Sequence, residues 1–210
     1  MNSGNRWVVL NGIGVSLGSA LSLLMLSLSP WLSHSLPVLF GIMGFSTSLG
    51  FFQGLAFLPG RRLFLRWFVV TSIAAFVGLL VALPLCLLPL VLLSSMTRST
   101  FAAMLALPIY GAMVLSFTGF LASSWQVRAA GRTIPHAPVW IRSNALAFAA
   151  GGALMVLLVP LSTAAMPTIL ASSASGAAFA GYAGLLAGAL VGRITKSGFL
   201  EVIAAGDVSD

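Results

Sequence analysis

Four long stretches of the chain carry no Asp, Glu, Lys or Arg: residues 7–60, 67–97, 99–127 and 143–192. A helix that crosses a bilayer needs about 20 predominantly apolar residues, so these gaps dictate how the chain can be divided. The middle stretches, 31 and 29 residues long, hold one span each, and the outer ones, 54 and 50 residues long, hold two each. Breakers mark the divisions: Pro30-Trp31-Leu32-Ser33-His34-Ser35-Leu36-Pro37 in the first, and Ser162-Thr163, Pro167 and Ser172-Ser173-Ala174-Ser175-Gly176 in the last. The expected fold is all-α, a six-helix transmembrane bundle with helices near 7–29, 37–58, 66–93, 101–128, 141–161 and 174–193. One transmembrane domain is expected over 1–193, followed by a short, mobile cytoplasmic tail at 194–210. The first apolar stretch is too long for a signal-peptide core and is expected to stay as a span. Pro84 and Pro89 predict a kink in the overlong third helix, or an extension of it on the outer side.

The basic residues test the division independently. Arg6 precedes the first helix; Arg61, Arg62 and Arg66 fall between the second and third; Arg128, Arg132 and Arg142 fall around the fourth connection; Arg193 and Lys196 follow the sixth. Only Arg98 falls on the other side. Excess positive charge marks the cytoplasmic face, so both termini are expected to be cytoplasmic. The positive charge sits in short interfacial loops, which suits anionic lipid headgroups and gives no basic domain for nucleic acid.

Composition then removes function classes. Of 210 residues, 59% are hydrophobic and 6% charged, and a soluble fold could not cover that much apolar surface. The three acids, Glu201, Asp207 and Asp210, all lie near the C-terminal end. Apart from Arg66, Arg128, Arg142 and Arg193 at their ends, the predicted spans hold no Asp, Glu, Lys, Arg or His, whereas pumps and coupled transporters embed such groups as relays. Serines and threonines lack an intramembrane His or Asp to activate them, and no metalloprotease, P-loop or CxxC motif occurs. A metal site would need several convergent ligands. A non-enzyme is expected. Cys86, the single cysteine, has no internal disulfide partner.

A spacing pattern recurs along the chain. Ser46-x3-Gly50-x2-Gln53 is followed by Trp67, Thr71 and Gly78; Gly119-x3-Ser123-x2-Gln126 is followed, at a constant offset of 73, by Trp140, Asn144 and Gly151. The ends supply a third, split copy: Gly184-x3-Gly188-x2-Val191, and Trp7, Asn11 and Gly18. These spacings predict a pseudo-threefold arrangement of helical hairpins, pairing helices 2 with 3, 4 with 5, and 6 with 1.

The run Ser46…Gly50-Phe51-Phe52-Gln53…Arg61-Arg62…Trp67, its second copy, and the closing Gly176…Gly181-Tyr182-Ala183-Gly184…Gly188 resemble a set of poorly characterised polytopic membrane proteins of cyanobacteria. Those proteins repeat a small-xxx-small-xx-Gln, basic-loop, Trp pattern, and the resemblance covers roughly 45–193. The chain departs from the pattern where Trp67-Phe68 and Trp140-Ile141 stand in place of paired tryptophans. The resemblance implies no agreed activity. It implies a photosynthetic bacterial membrane, either inner membrane or thylakoid, and with it chlorophyll or carotenoid as candidate cofactors.

The unusual residues in the spans are the candidate sites. Ser46, Gly50, Gly119, Ser123, Gly184 and Gly188 place small side chains at i and i+4, which suits close helix packing or a lipid-facing dimer contact. Asn11, Gln53, Thr71, Gln126 and Asn144 all fall near the cytoplasmic helix ends. Amides in hydrocarbon need partners, so a polar cluster is expected, serving either interhelical hydrogen bonding or a small ligand. Trp7, Trp67 and Trp140 stand beside basic residues and are expected to be interface anchors. His34 and His136, predicted on opposite sides, could each ligate a chlorophyll singly but could not jointly sandwich a haem.

Two functions follow as expectations. One is a non-catalytic accessory or scaffold subunit of a larger membrane complex, whose photosynthetic setting is what the resemblance implies, with other membrane subunits and membrane lipids as partners. The other is the substrate-binding subunit of a vitamin-type small-molecule transporter: six helices, 210 residues and cytoplasmic termini resemble, in size and topology only, the vitamin-binding components of energy-coupling importers.

Overall fold

A computed structural model describes residues 2–27, 35–57, 61–96, 100–130, 136–165 and 173–206. Six helices fill them: α1 (Ser3–Ser27), α2 (Ser35–Leu55), α3 (Arg61–Met96), α4 (Thr100–Ala130), α5 (Ala137–Ala165) and α6 (Ser173–Gly206). Stretches within five of them, Ser3–Met25, Leu36–Leu55, Arg62–Leu87, Ala137–Leu158 and Ala177–Glu201, are long and apolar enough to cross a membrane.

Each helix packs its backbone closely on its neighbours in sequence, and α6 closes back on α1; among the described residues no other pair of helices brings its backbones so near. The bundle is thus a closed ring of six. Neighbours run antiparallel: Gly12 of α1 lies against Leu185 of α6, and Gly192 against Val8. Large apolar side chains such as Val9, Met43, Leu85, Ile109 and Leu146 stay exposed. Lipid tails are as apolar as leucine, so helix association here relies on close fit. Between α4 and α5 the fit is tightest at Gly111 and Gly152. A Cβ on either would collide with the other's backbone carbonyl.

One expectation changes. Residues 194–206 are not a loose tail but the last turns of α6. Thr195 and Phe199 are buried four residues apart, beyond Val191 and on the same helix face. Burying that stripe against the other helices favours continued helix past Arg193 and Lys196. Of the two outcomes expected for the overlong third helix, a kink or an extension, the structure shows length: α3 stays helical through Pro84 and Pro89 to Met96. Its 36 residues would reach about 54 Å, well beyond the hydrocarbon thickness.

Candidate functional site

The ring interior is layered, and the layers follow helix periodicity. At one end Trp7, Phe57, Trp67, Trp140 and Phe199 form a buried aromatic cluster. Asn11, Thr71 and Asn144 each follow a tryptophan by four residues, one turn deeper on the same face. Gln53 and Gln126 enter that layer from α2 and α4, which run the opposite way. Beyond it lies an apolar layer that includes Val15, Phe45, Leu49, Ala75, Val114 and Phe148.

The polar layer is wired together. Gln53 Nε2 donates to Asn11 Oδ1 at 2.8 Å. Gln126 Nε2 donates to Thr71 Oγ1 at 2.8 Å and to Gln53 Oε1 at 3.2 Å. Trp140 Nε1 donates to Gln126 Oε1 at 3.2 Å. Asn11 and Asn144 make the same local bond, each amide donating to the carbonyl of the tryptophan four residues earlier, at 3.0 and 2.9 Å. The structure therefore joins Asn11, Gln53, Thr71 and Gln126 in one chain of hydrogen bonds across α1, α2, α3 and α4. Asn144 is buried at the same level, with its amide nitrogen turned onto its own helix. Buried amides are costly unless satisfied, and here protein groups supply the partners.

The tryptophans correct an expectation. Interfacial anchors would face headgroups, yet Trp7, Trp67 and Trp140 are 0%, 1% and 2% exposed. They point inward. Trp7 stacks on Phe199 with centroids 4.4 Å apart and planes 11° apart, while Trp67 and Trp140 meet edge to face at 6.0 Å. Phe57 lies 4.3 Å from Trp67 and 6.3 Å from Trp7. The inward face offers apolar area to all three rings and a partner to two of the ring N–H groups. Trp7 Nε1 donates to Thr195 Oγ1 at 2.8 Å, and Trp140 Nε1 reaches Gln126. Trp67 Nε1 has no hydrogen-bond partner in the structure.

The predicted small residues lie inside the ring, at contacts between neighbouring helices. A Cβ on Gly50 would meet the Phe68 carbonyl of α3, and one on Gly119 the Phe148 ring of α5. One on Gly184 would meet the Val15 carbonyl of α1, and one on Gly188 the Asn11 carbonyl. Ser123 is buried and donates to the Gly119 carbonyl at 2.6 Å. Ser46 is buried with its hydroxyl unpartnered. This is intramolecular packing and not a lipid-facing dimer contact.

His136 is exposed, immediately before α5, and its carbonyl accepts the Val139 and Trp140 amides at 2.9 and 3.0 Å. His34 and Trp31 lie outside the described residues. Arg62, Arg66, Arg128, Arg142 and Arg193 are exposed at the aromatic end. There too, Arg6 donates to the Leu55 carbonyl at 2.7 Å, satisfying a helix-end acceptor of α2. Sequence reasoning missed Phe57, Thr195 and Phe199. The four-residue spacing Val191-Thr195-Phe199 was the available signal for the last two.

At the opposite end from the tryptophans the ring leaves a half-open cavity of about 520 Å³, with walls drawn from all six helices, including Ser19, Ile42, Leu79, Leu115, Met155 and Ala183. Comparison of the chain with family models, curated proteins and solved structures gives no match.

Proposed function

We propose that this protein is a non-catalytic integral membrane accessory or scaffold subunit of a larger membrane complex. The carrying observation is the polar layer. Asn11, Gln53, Thr71 and Gln126 direct their hydrogen bonds to one another, which suits a lock between helices better than a site turned toward a substrate. A rigid ring with a wide apolar exterior is suited to lying between other membrane subunits and lipids. The test is extraction in mild detergent with an affinity tag. The expected outcome is co-purification with a defined set of membrane subunits; a free monomer in every gentle preparation overturns the reading.

Three finer points belong to the same proposal. The hairpins α2–α3, α4–α5 and α6–α1 are taken as copies of one unit. The matched bonds Asn11–Trp7 and Asn144–Trp140 support this, as does the way Gly50, Gly119 and Gly188 each face the partner helix of their own hairpin. Both termini are taken as cytoplasmic, supported by the arginines clustered at the aromatic end. A Cys introduced at Ser3 in a Cys86→Ala background should react with a membrane-impermeant thiol reagent in inverted vesicles and not in intact cells. The photosynthetic setting rests on the cyanobacterial resemblance; chlorophyll at His136, or carotenoid, would appear in the absorbance of the tagged preparation.

The cavity supports a second reading, the small-molecule binding subunit of a transporter. Its apolar walls suit a lipophile better than a polar vitamin. A thermal-shift screen against vitamins separates the two: specific stabilisation by one of them favours the transporter.

A further inference from the structure

Three seams join one hairpin to the next: α1–α2, α3–α4 and α5–α6. At the first, Gln53 Nε2 of α2 donates to Asn11 Oδ1 of α1; at the second, Gln126 Nε2 of α4 donates to Thr71 Oγ1 of α3. A third link of the same kind would run from α6 to Asn144 of α5. Spacing aligns Val191 with the glutamines, but the structure puts Thr195, one turn on, in their layer. Trp7 donates to Thr195 Oγ1 as Trp140 donates to Gln126 Oε1, and Phe199 follows Thr195 by four residues as Phe57 follows Gln53. Threonine does not complete the link. It is shorter than glutamine, and its hydroxyl donates to the Val191 carbonyl at 2.9 Å. Asn144 is 3% exposed, and among the described residues no donor reaches its Oδ1.

The backbone spacing agrees. Gly18, Gly78 and Gly151 hold matching places in the repeat, and each faces the next hairpin. A Cβ on Gly18 would meet Phe45 Cα at 3.0 Å, and one on Gly78 would meet Thr118 Cα at 3.0 Å. On Gly151 the nearest backbone atom is the Ala187 carbonyl oxygen, at 3.5 Å. Of the six neighbouring pairs, α5 and α6 are the least closely packed. At the aromatic end the Trp140 ring lies against Gly198, a contact without a hydrogen bond. Helices in hydrocarbon are held by close fit and by hydrogen bonds between them. Resting on the reading of the hairpins as copies of one unit, we propose that the ring is latched at two of its three seams and parts at the third, α5–α6, its built-in opening edge.

Crosslinks in a Cys86→Ala background test the edge. A Cβ on Gly151 lies 3.7 Å from Ala187 Cβ and one on Gly78 lies 3.4 Å from Thr118 Cβ, near the roughly 3.8 Å of a disulfide. Gly151→Cys with Ala187→Cys, and Gly78→Cys with Thr118→Cys, are each compared oxidised and reduced for their unfolding rate in mixed SDS micelles. A crosslink slows unfolding where the helices it joins have separated in the transition state, so oxidation should slow the α5–α6 pair by about 10-fold or more and the α3–α4 pair by less than about 2-fold. Thr195→Gln tests the missing latch: its amide can accept from Trp7 and donate to Asn144. The folding equilibrium constant should rise by about 2- to 10-fold, the effect of one hydrogen bond, and the gain should vanish in an Asn144→Leu background. No gain that depends on Asn144 overturns the copy reading and the missing latch with it. Equal slowing at both seams, or greater slowing at α3–α4, overturns the opening edge even with that gain intact. If a cysteine pair does not fold, the Thr195→Gln comparison decides, and the reverse.

Discussion

Gln126 donates its side-chain amide to the Gln53 carbonyl oxygen at 3.2 Å, and the two glutamines stand 73 residues apart. The same interval separates Trp67 from Trp140 and Gly78 from Gly151. Two residues at matching places in a recurring pattern thus meet at the centre of the ring. Gln53 is the junction of the network, accepting from α4 and donating to α1.

Gln53→Leu should therefore destabilise the protein by about 1–3 kcal/mol, because Asn11 Oδ1 and one Gln126 bond lose their partner while remaining buried. Removing both glutamines (Gln53→Leu with Gln126→Leu) should cost less than the sum of the single changes, with a coupling of about 0.5–3 kcal/mol. Unfolding in detergent micelles measures both. Strict additivity would show that the two side chains act independently.

Phe199 tests the long α6. Phe199→Ala removes the ring stacked on Trp7 and should cost about 3–5 kcal/mol, as large truncations in packed cores do. Tryptophan emission should shift to the red as the cluster admits solvent. A residue in a loose tail would give neither change.

The indole N–H groups predict a ranking. Trp67 Nε1 has no partner in the structure, whereas Trp140 Nε1 donates to Gln126. Trp140→Phe should thus be more destabilising than Trp67→Phe by about 1 kcal/mol, the net worth of a hydrogen bond. Equal melting temperatures for the two variants would contradict that assignment.

Close approach separates glycines that the chain itself does not distinguish. Gly152→Ala should destabilise by about 1–3 kcal/mol through overpacking against the Gly111 carbonyl. At Gly44 an added Cβ meets only Leu21 Cβ, at an ordinary 3.5 Å. There the alanine substitution should be neutral or stabilising by up to about 1 kcal/mol, since alanine is the better helix former. Thermal melts of the two variants should move in opposite directions or at least differ clearly.

Much of the fold was legible because a bilayer demands so little variety. Uncharged stretches and a few prolines are enough to place six helices to within a few residues, apart from the C-terminal extension of α6. The polar layer was legible for a related reason: Asn11, Gln53 and Gln126 are conspicuous amides in apolar spans, and the four-residue step from each tryptophan puts the next polar residue on the same face. Helix ends were harder. Arg193 and Lys196 read in the sequence as the end of a span, but α6 continues past them because Thr195 and Phe199 extend its buried stripe. The tryptophans were misjudged because residues beside arginines at a helix end can face either lipid or the bundle, and local sequence does not say which.

The sequence by itself determined that this chain is helical, apolar enough to be membrane-embedded, and patterned at a constant spacing, since each of those properties is written in composition and period. Only the tertiary structure decided which faces turn inward. Ring closure of α6 on α1 brings residues from opposite ends of the chain, Trp7, Thr195 and Phe199, into one cluster. It also leaves the far end incompletely filled, with Ser19 unpaired in the cavity wall. Both outcomes depend on how six apolar surfaces fit together, and shape complementarity between distant segments has no signature in local sequence.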